Sequence, residues 1–373
     1  MATITGPIDV SALRARLDRA CAAAEQAGVD ALLISPGSDL RYLIGAGGDS
    51  FERLTCLALP VGGTPRLVVP KLEQPGYAAI PTDELGVEVV TWVDGEDPYA
   101  LVKAALKGTR VAVADMMPAL HTIKLGNAIG GEQSLAGPII RELRMRKDAA
   151  EIAALRKAGA AIDRVHARMG EFLRVGRTER EVAEDIAAAI VEEGHTVADF
   201  VIVGSGPNGA SPHHRDSDRV VEAGEVVVID IGGPVAEGYN SDSTRTYVMG
   251  EPAYDDVRET YAVLQAAQKA AVEAVRPGVT CEEIDAVARE VIADAGFGEY
   301  FVHRTGHGIG LDVHEEPYIV SGNSLPLEAG MAFSVEPGIY LPGRWGARIE
   351  DIVVATADGV ESFNNRPHDL VVL

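Results

Sequence analysis

The chain has 373 residues, which exceeds the roughly 250–300 residues over which one hydrophobic core grows, so the sequence predicts two domains. It carries 33 Lys plus Arg against 56 Asp plus Glu, a formal net charge of −23, and a field of that sign repels nucleic acid and anionic membrane surfaces. No apolar run approaches the roughly 20 residues of a membrane span, and no signal peptide is recognisable, so we expect a cytoplasmic protein.

The first 140 residues alternate helical and strand patterns. An amphipathic helix is expected over 11–27. Short β-rich runs follow it, with Gly, Pro and Asp between them: ALLIS (31–35), TCLALP (55–60), RLVVP (66–70), VEVVTW (87–92) and RVAVAD (110–115). This alternation predicts an α/β domain. A highly charged helical stretch over 140–163 comes next, and we place the boundary there, which gives domains 1–142 and 143–373.

The second domain opens with long helices. Two of them begin at Thr-x-x-Glu capping boxes, at 178–181 and 280–283, and Gly296 is expected to end the second. Strand-like segments lie between the helices: ADFVIVGSG (198–206), EVVVIDIGG (225–233), YNSDSTRTYVMG (239–250), MAFSVEPGIYL (331–341) and ARIEDIVVAT (347–356). This order predicts an α+β fold in which helices cover an antiparallel sheet.

Several familiar motifs are absent or incomplete. GSGPNG (204–209) satisfies GxGxxG, but Pro207 and the residues after it do not begin a helix, so a Gly-rich turn is expected instead of a dinucleotide site. HEEP (314–317) is not HExxH, because Pro317 stops the helix that would supply a second histidine. The three cysteines, Cys21, Cys56 and Cys281, are far apart and predict no disulfide framework.

Four carboxylates occupy strand-like segments, where Asp and Glu are depleted: Asp230, Asp242, Glu336 and Glu350. Any one of them alone could be an outward-facing strand residue or a turn acid. Buried together without partners, each would cost several kcal/mol, and metal cations would offset that cost. Four carboxylates and one neutral imidazole carry a formal charge of −4, which two divalent ions cancel; such ligands favour Mn, Co, Fe or Zn. Two ions about 3.5–4 Å apart can activate a shared water and polarise a carbonyl, which indicates a hydrolase.

HRTGHGIGLDVHEEP (303–317) gathers three histidines and three glycines within fifteen residues. Together with the acidic segments, it resembles the pita-bread metallopeptidase family over about residues 147–373. That family contains methionine aminopeptidase, Xaa-Pro aminopeptidase, prolidase and creatinase. The likeness is closest to bacterial Xaa-Pro dipeptidases (prolidases) and Xaa-Pro aminopeptidases, whose N-terminal α/β domain matches the first 140 residues.

The resemblance implies an α+β protein in which a C-terminal pita-bread (creatinase/aminopeptidase) fold follows a smaller α/β creatinase-like N-terminal domain. It also implies a homodimer and two divalent metal ions per chain, manganese or else cobalt or zinc. The implied metal ligands are Asp230, Asp242, His307, Glu336 and Glu350. Asp242 and Glu350 would bridge the ions.

Other residues receive roles through the same resemblance. His314 would stabilise the oxyanion, and Glu336 would carry a proton to the departing nitrogen. His303 and His213, the latter in preference to His214, would line the pocket for the leaving residue, with His213 also counted as catalytic. Arg348 and Tyr340 would adjoin the substrate and support the metal site. The alternatives are polar loop histidines, a cross-strand ion pair for Arg348 and a core position for Tyr340.

Three details carry further expectations. Gly306, Gly308 and Gly310 are expected to adopt backbone conformations that a Cβ forbids and to let the backbone approach the ions. Asp230 and Asp242 are twelve positions apart where relatives commonly have eleven, so we expect the extra residue in the turn GPVAEG (233–238). Tyr318 stands where some dipeptidases carry an arginine that binds the free carboxylate of a dipeptide, which leaves dipeptide specificity open.

The predicted function is hydrolysis of the Xaa-Pro bond at a peptide N-terminus, as in a prolidase-like dipeptidase whose substrate has proline second. The alternatives are an Xaa-Pro aminopeptidase acting on longer peptides and, in a different class, a metal-free pita-bread binding module without activity. Methionine aminopeptidase generally lacks a domain like residues 1–140, and creatinase lacks the full ligand set. A binding module would show substitutions at several of the five ligand positions, and none is substituted.

Overall fold

The protein is described by a computed structural model over residues 9–48, 52–215 and 217–373. The chain divides into two compact units, the first ending at Arg144 and the second beginning at Met145. All three cysteines are free thiols, as the sequence predicts. Among the described residues, no helix combines the length and the apolar character needed to cross a membrane.

The first unit alternates strands and helices. Its strands in the described residues are β1 (Ala31–Ile34), β2 (Cys56–Pro60), β3 (Arg66–Pro70), β4 (Glu88–Trp92), β5 (Val111–Val113) and β6 (Gln133–Leu135). Its helices there are α1 (Val10–Gln26), α2 (Ser38–Ile44), α3 (Thr82–Leu85), α4 (Pro98–Lys103), α5 (Ala119–Ile129) and α6 (Gly137–Met145). The strands form one mixed sheet in the order β4-β3-β2-β1-β5-β6. The central strand β1 is buried along its whole length, which explains its continuous apolar run.

The helices of the second unit are α7 (Ala149–Ala167), α8 (Met169–Phe172), α9 (Glu179–Glu192), α10 (Val257–Ala274) and α11 (Cys281–Asp294). Both predicted capping boxes are formed, at the starts of α9 and α11. The charged stretch over 140–163 is two helices instead of one. Asp148 begins α7 with a third capping box, in which Glu151 returns the bond, and this interrupts the helical pattern after Met145.

The strands of the second unit are β7 (Phe200–Ser205), β8 (Val226–Pro234), β9 (Asn240–Val248), β10 (Gly306–Gly308), β11 (Glu315–Ile319), β12 (Ala332–Val335), β13 (Gly338–Leu341), β14 (Trp345–Arg348), β15 (Asp351–Thr356), β16 (Gly359–Ser362) and β17 (Val371–Val372). They form sheets in the orders β17-β9-β8-β7, β11-β10-β12-β15-β16 and β13-β14. Every pair is antiparallel except β9 with β17. The predicted α+β class is confirmed.

Two apolar clusters cover these sheets. In one, α10 and α11 pack on the five-stranded sheet through residues such as Leu264, Ile284 and Phe333. In the other, α7 and α9 pack on the sheet that contains β8, through residues such as Ile186 and Ile229.

The hairpin of β8 and β9 sets the positions of two predicted ligands. Its register runs without a shift from Val226 opposite Val248 to Pro234 opposite Asn240. Asp242 lies opposite Gly232, two residues from Asp230, so both carboxylates project from the same face. As expected from the spacing, the strands contain no extra residue, and residues 235–239 close the turn.

The capping box of α11 gives a test of this local structure. Thr280→Ala removes the hydroxyl that accepts from the amide of Glu283, so the first turn should lose about 1 kcal/mol and its amides should exchange about fivefold faster. Hydrogen-exchange mass spectrometry of residues 281–286 measures this. Thr280→Ser keeps the hydroxyl and should exchange like the parent chain. Equal exchange in all three proteins would contradict the assignment.

Candidate metal centre and active site

Side chains from five separate segments of the second unit converge at one point. Asp230 comes from β8 and Asp242 from β9, His307 lies in β10, Glu336 directly follows β12, and Glu350 directly precedes β15. Their ligand atoms form overlapping groups, each within 4.8 Å: Asp230 with Asp242 and Glu350; His307 with Glu336 and Glu350; and Asp242 with His307 and His314. Asp242, His307 and Glu350 each belong to two groups. The arrangement therefore offers adjoining sets of donors that share residues.

The chemistry of this donor set fits divalent cations. Asp230, Asp242 and Glu350 are 7%, 4% and 1% exposed, and Asp230 Oδ1 and Glu350 Oε1 are buried without a hydrogen-bond partner. Burial raises the pKa of Asp242 well above its ordinary range, and the charges of Glu350 and Asp230 raise it further. Burial also raises the pKa of Glu350 well above its ordinary range, aided by the charge of Glu336. Cations would remove both costs.

The imidazole of His307 is oriented to present one nitrogen to this cluster. Its Nδ1 lies 3.1 Å from the carbonyl oxygen of Gly308, and because a carbonyl can only accept, Nδ1 carries the proton. In the neutral ring, Nε2 then has a free lone pair, and it lies 3.5 Å from Asp242 Oδ2 and 3.1 Å from Glu336 Oε1. This is the tautomer and orientation of a metal ligand.

Glu336 is held in its ionised form. Its Oε1 accepts a hydrogen bond of 3.0 Å from Ser334 Oγ. Burial alone would raise the pKa of this carboxyl, but when the His307 ring is protonated, its hydrogen bond and charge, with the charges of His303 and Arg348, lower the pKa to about 2. Glu336 is therefore ionised near neutral pH, whereas the pKa values of Asp242 and Glu350 are raised.

Arg348 is buried behind the carboxylates and holds them in place. Its Nη2 donates to Asp230 Oδ2 at 2.5 Å, and its Nε donates to Thr244 Oγ1 at 3.0 Å. Thr244 Oγ1 in turn donates to Glu350 Oε2 at 2.6 Å. One guanidinium thus orients one carboxylate directly and a second through a hydroxyl, and it leaves the other oxygen of each carboxylate free.

A further chain of hydrogen bonds leads from Arg348 to the opposite wall. Arg348 Nη1 donates to Tyr340 Oη at 2.8 Å, and Tyr340 Oη lies 2.9 Å from His303 Nε2. His303 Nδ1 lies 2.7 Å from the carbonyl oxygen of Arg304 and must donate to it, so Nε2 accepts from the tyrosine. Both ring nitrogens of His303 are therefore occupied, and only its ring face is available to a substrate.

The cluster opens into a cavity of about 970 Å³. The residues that line it include four of those expected around the substrate: His213, His303, His314 and Arg348. The ring of His314 lies edge-on to that of His307, with centroids 4.1 Å apart. Burial and the neighbouring charge of His307 lower the pKa of His314 to about 4, so its ring is neutral near pH 7. Tyr340 does not line the cavity, and its hydroxyl is hydrogen-bonded to Arg348 and His303.

The two histidines of the sequence SPHH point to different places. His213 lines the cavity. His214 turns away from it, and its Nε2 lies 2.8 Å from Glu179 Oε2. Of the two, the histidine chosen from the sequence is therefore the one on the cavity wall.

The expected backbone conformation of the glycines in β10 and in the loop after it was wrong. Gly306, Gly308 and Gly310 do not have positive φ. A Cβ at Gly306 would collide with the carbonyl oxygen of Ser334, and one at Gly308 with that of Glu316. At Gly310 the obstacles are the side chains of Glu315 and Lys147. The glycines are needed because neighbouring strands and side chains pack closely against β10.

Sequence reasoning missed three residues of the site. Thr244 and Ser334 support the carboxylates, and Arg304 lines the cavity. Thr244 lies two residues after Asp242 and Ser334 two residues before Glu336, so both share a strand face with a ligand. Reading each acid with its neighbours at period two would have found them. Arg304 has no such signal.

The family follows from a comparison with known proteins. Residues 153–357 match metallopeptidase family M24, and residues 16–146 match the creatinase/prolidase N-terminal domain. The chain belongs to metallopeptidase family M24. The resemblance to the pita-bread metallopeptidases is thereby confirmed, and the chain is an enzyme of that family.

Relatives of this M24 peptidase cover nearly its whole length. A probable dipeptidase PepE from Mycobacterium bovis is 60% identical over 98% of both chains. The crystal structure of dipeptidase PepE from Mycobacterium ulcerans matches with a TM-score of 0.94 and 61% identity, over 98% of this chain and 99% of that one. An Xaa-Pro dipeptidase from Lactobacillus delbrueckii subsp. lactis is 38% identical over 94% of this chain and 96% of its own. These similarities support peptidase activity.

Thr244 provides a test of how the metal centre is supported. Thr244→Val removes the hydroxyl between Glu350 and Arg348 without changing the side-chain shape, so affinity for Mn²⁺ should fall roughly 10- to 100-fold. Isothermal titration of the metal-free protein measures the affinity. Thr246→Val is the matched control, because Thr246 is also buried but bonds only the backbone of Arg348. Equal losses in both variants would contradict a specific role for Thr244.

Proposed function

We propose that this M24 peptidase is a dinuclear metal-dependent dipeptidase that hydrolyses Xaa-Pro dipeptides. The observation that carries the proposal is the convergence of four carboxylates and one imidazole, with buried oxygens on Asp230 and Glu350 that lack partners. The Xaa-Pro dipeptidase among the relatives supports the choice of substrate.

Five residues would hold the ions, with manganese proposed and cobalt or zinc as alternatives. Asp230 would bind one ion, His307 and Glu336 the other, and Asp242 and Glu350 would be shared between them. When bound, the two ions would supply an activated water and polarise the scissile carbonyl. The protein contributes binding, orientation and proton transfer.

Glu336 would carry the proton of the reaction. As the water oxygen forms its bond to the carbonyl carbon, the water proton passes to the carboxylate of Glu336, which is ionised because of its lowered pKa. The same proton then passes to the prolyl nitrogen as the C–N bond breaks. Ser334 holds the carboxylate during both transfers. The products are a free amino acid and proline, and Glu336 returns to its starting state.

His314 would stabilise the oxygen of the scissile carbonyl. Its ring lies on the cavity wall beside His307 and is neutral near pH 7. A neutral imidazole keeps one N–H, which can donate a hydrogen bond to the oxyanion. His213 and the ring face of His303 would contact the proline residue from the neighbouring part of the wall.

Arg304 supports a dipeptide as the substrate. Tyr318 occupies the position where some dipeptidases have an arginine, but the guanidinium of Arg304 lies over the Tyr318 ring, 4.4 Å from its centroid, and lines the cavity. The ring holds the cation in place through a cation–π contact. A dipeptide carries a free carboxylate next to its proline ring, and Arg304 would neutralise that charge. Longer peptides have no carboxylate there.

Hydrolysis of Ala-Pro, measured after metal removal and again with added Mn²⁺, tests the proposal. Activity should depend on the metal and should exceed that on Ala-Pro-Ala. Glu350→Gln should lower kcat/KM by about 10³-fold or more, because metal polarisation supplies several kcal/mol. Glu361→Gln, which loses only a surface ion pair with Arg156, is the control. Preference for Ala-Pro-Ala would favour an aminopeptidase, and inactivity of the metal-loaded chain would favour a binding module.

Arg304→Gln tests the source of dipeptide preference. Loss of charge-assisted hydrogen bonds to the substrate carboxylate should raise KM for Ala-Pro by about 10- to 100-fold. Ala-Pro-amide has no carboxylate, so its KM should be the same for both proteins. A similar rise in KM for the two substrates would show that Arg304 does not recognise the carboxylate.

A further inference from the structure

Glu179 is a buried carboxylate that lies outside the cavity and has no part in the proposed mechanism. It is the first residue of α9, follows the capping residue Thr178, and is 0% exposed. An ionised carboxylate at such a position requires several donors to replace water, and a helix N-terminus favours its charge. The groups that donate hydrogen bonds to the Glu179 carboxylate all belong to one segment of the chain.

That segment is the His213 loop, which we define as residues 205–215 and 217. Glu179 Oε1 accepts from the amide and the hydroxyl of Ser205, both at 2.8 Å, and from Asn208 Nδ2 at 3.0 Å. Glu179 Oε2 accepts from Asn208 Nδ2 at 3.0 Å, from His214 Nε2 at 2.8 Å and from Ser217 Oγ at 2.7 Å. The side chain of Glu179 is thus hydrogen-bonded to the beginning, the middle and the end of the loop.

The same loop forms part of the cavity wall. Ser211, Pro212 and His213 line the cavity, and the carbonyl oxygen of Pro212 lies 3.5 Å from Arg348 Nη1. His213 itself is exposed, so its place on the wall depends on its neighbours in the chain. The adjacent side chain, that of His214, is the one bonded to Glu179.

We infer that Glu179 is a positioning residue that fixes the His213 loop and thereby holds His213 toward the substrate. This inference rests on the proposed function, because it takes His213 as a substrate contact. Glu179 acts from outside the cavity and through His214, Asn208 and Ser217.

Charge and geometry both require a carboxylate at position 179. All its partners approach as donors, and they are distributed over both oxygens. A glutamine would place an NH₂ group against donors on one side, and each lost acceptor would leave a buried polar group without a partner. Burial opposes ionisation of Glu179, but bonds from Ser217, Ser205 and His214 lower its pKa.

The test is Glu179→Gln in the metal-loaded full chain. KM for Ala-Pro should rise about tenfold while kcat changes less than about threefold, because the loop loses its orientation and the proton-transfer residues do not. Mn²⁺ affinity should be unchanged. Hydrogen exchange of peptides covering the His213 loop should become faster.

Glu181→Gln is the matched control. Glu181 lies in the same helical turn, but its carboxylate bonds only the amide of Thr178 within the capping box. It should leave KM and the exchange of the loop unchanged. Ser217→Ala and His214→Asn each remove one donor without altering the buried carboxylate, so they keep the test available if Glu179→Gln does not fold. Each should raise KM by about threefold.

The outcomes separate this inference from the proposed function. Unchanged loop exchange in the Glu179, Ser217 and His214 variants would overturn the inference, whatever the substrate is. Faster exchange with unchanged KM would also overturn it, because the loop would then not position a substrate contact. Absence of Ala-Pro hydrolysis by the unaltered chain would instead reject the proposed function, and the exchange measurement would still decide whether Glu179 fixes the loop.

Discussion

The repulsion among four carboxylates at one buried point is the constraint on which this structure depends. Asp230, Asp242 and Glu350 are almost completely buried, and the single guanidinium of Arg348 offsets only one of their charges. Their raised pKa values show that the folded chain holds them at a cost. Divalent cations would offset this cost, and the two ions that we propose would account for the arrangement of the donor atoms. The strands and hydrogen bonds around these carboxylates hold them in this arrangement.

Strands hold the proposed metal ligands, and the His213 loop, which is hydrogen-bonded to Glu179, holds part of the cavity wall. The unbulged hairpin of β8 and β9 carries two of the proposed ligands. Glu336 and Glu350 lie where strands are interrupted, so their side chains can turn toward the same point. Hydrogen bonds through Thr244, Tyr340 and Arg348 fix the orientation of these groups. In the same way, a hydrogen bond between Glu179 and His214 orients the part of the cavity wall that contains His213.

Much of this could be predicted from the sequence, because acids in apolar strands and capping boxes are local signals. Five of the six strands that the structure describes in the first unit and the α+β class of the second were predicted correctly, while β6 was not predicted. The break at Asp148 was missed because its capping box is hidden in a charged helical run. The reason for the glycines at 306–310 could not be predicted, since it lies in contacts with β11 and β12 that are known only from the folded chain. Arg304 and Glu179 were missed for the same reason: their partners, Tyr318 and the His213 loop, are known only from the folded chain.

The most direct test of the central claim is anomalous diffraction from crystals of the protein soaked in Mn²⁺. We expect two peaks about 3.5–4 Å apart, one beside Asp230 and one beside His307, with Glu350 in contact with both. Peaks only at other positions, or no peak among the five residues at saturating Mn²⁺, would contradict it.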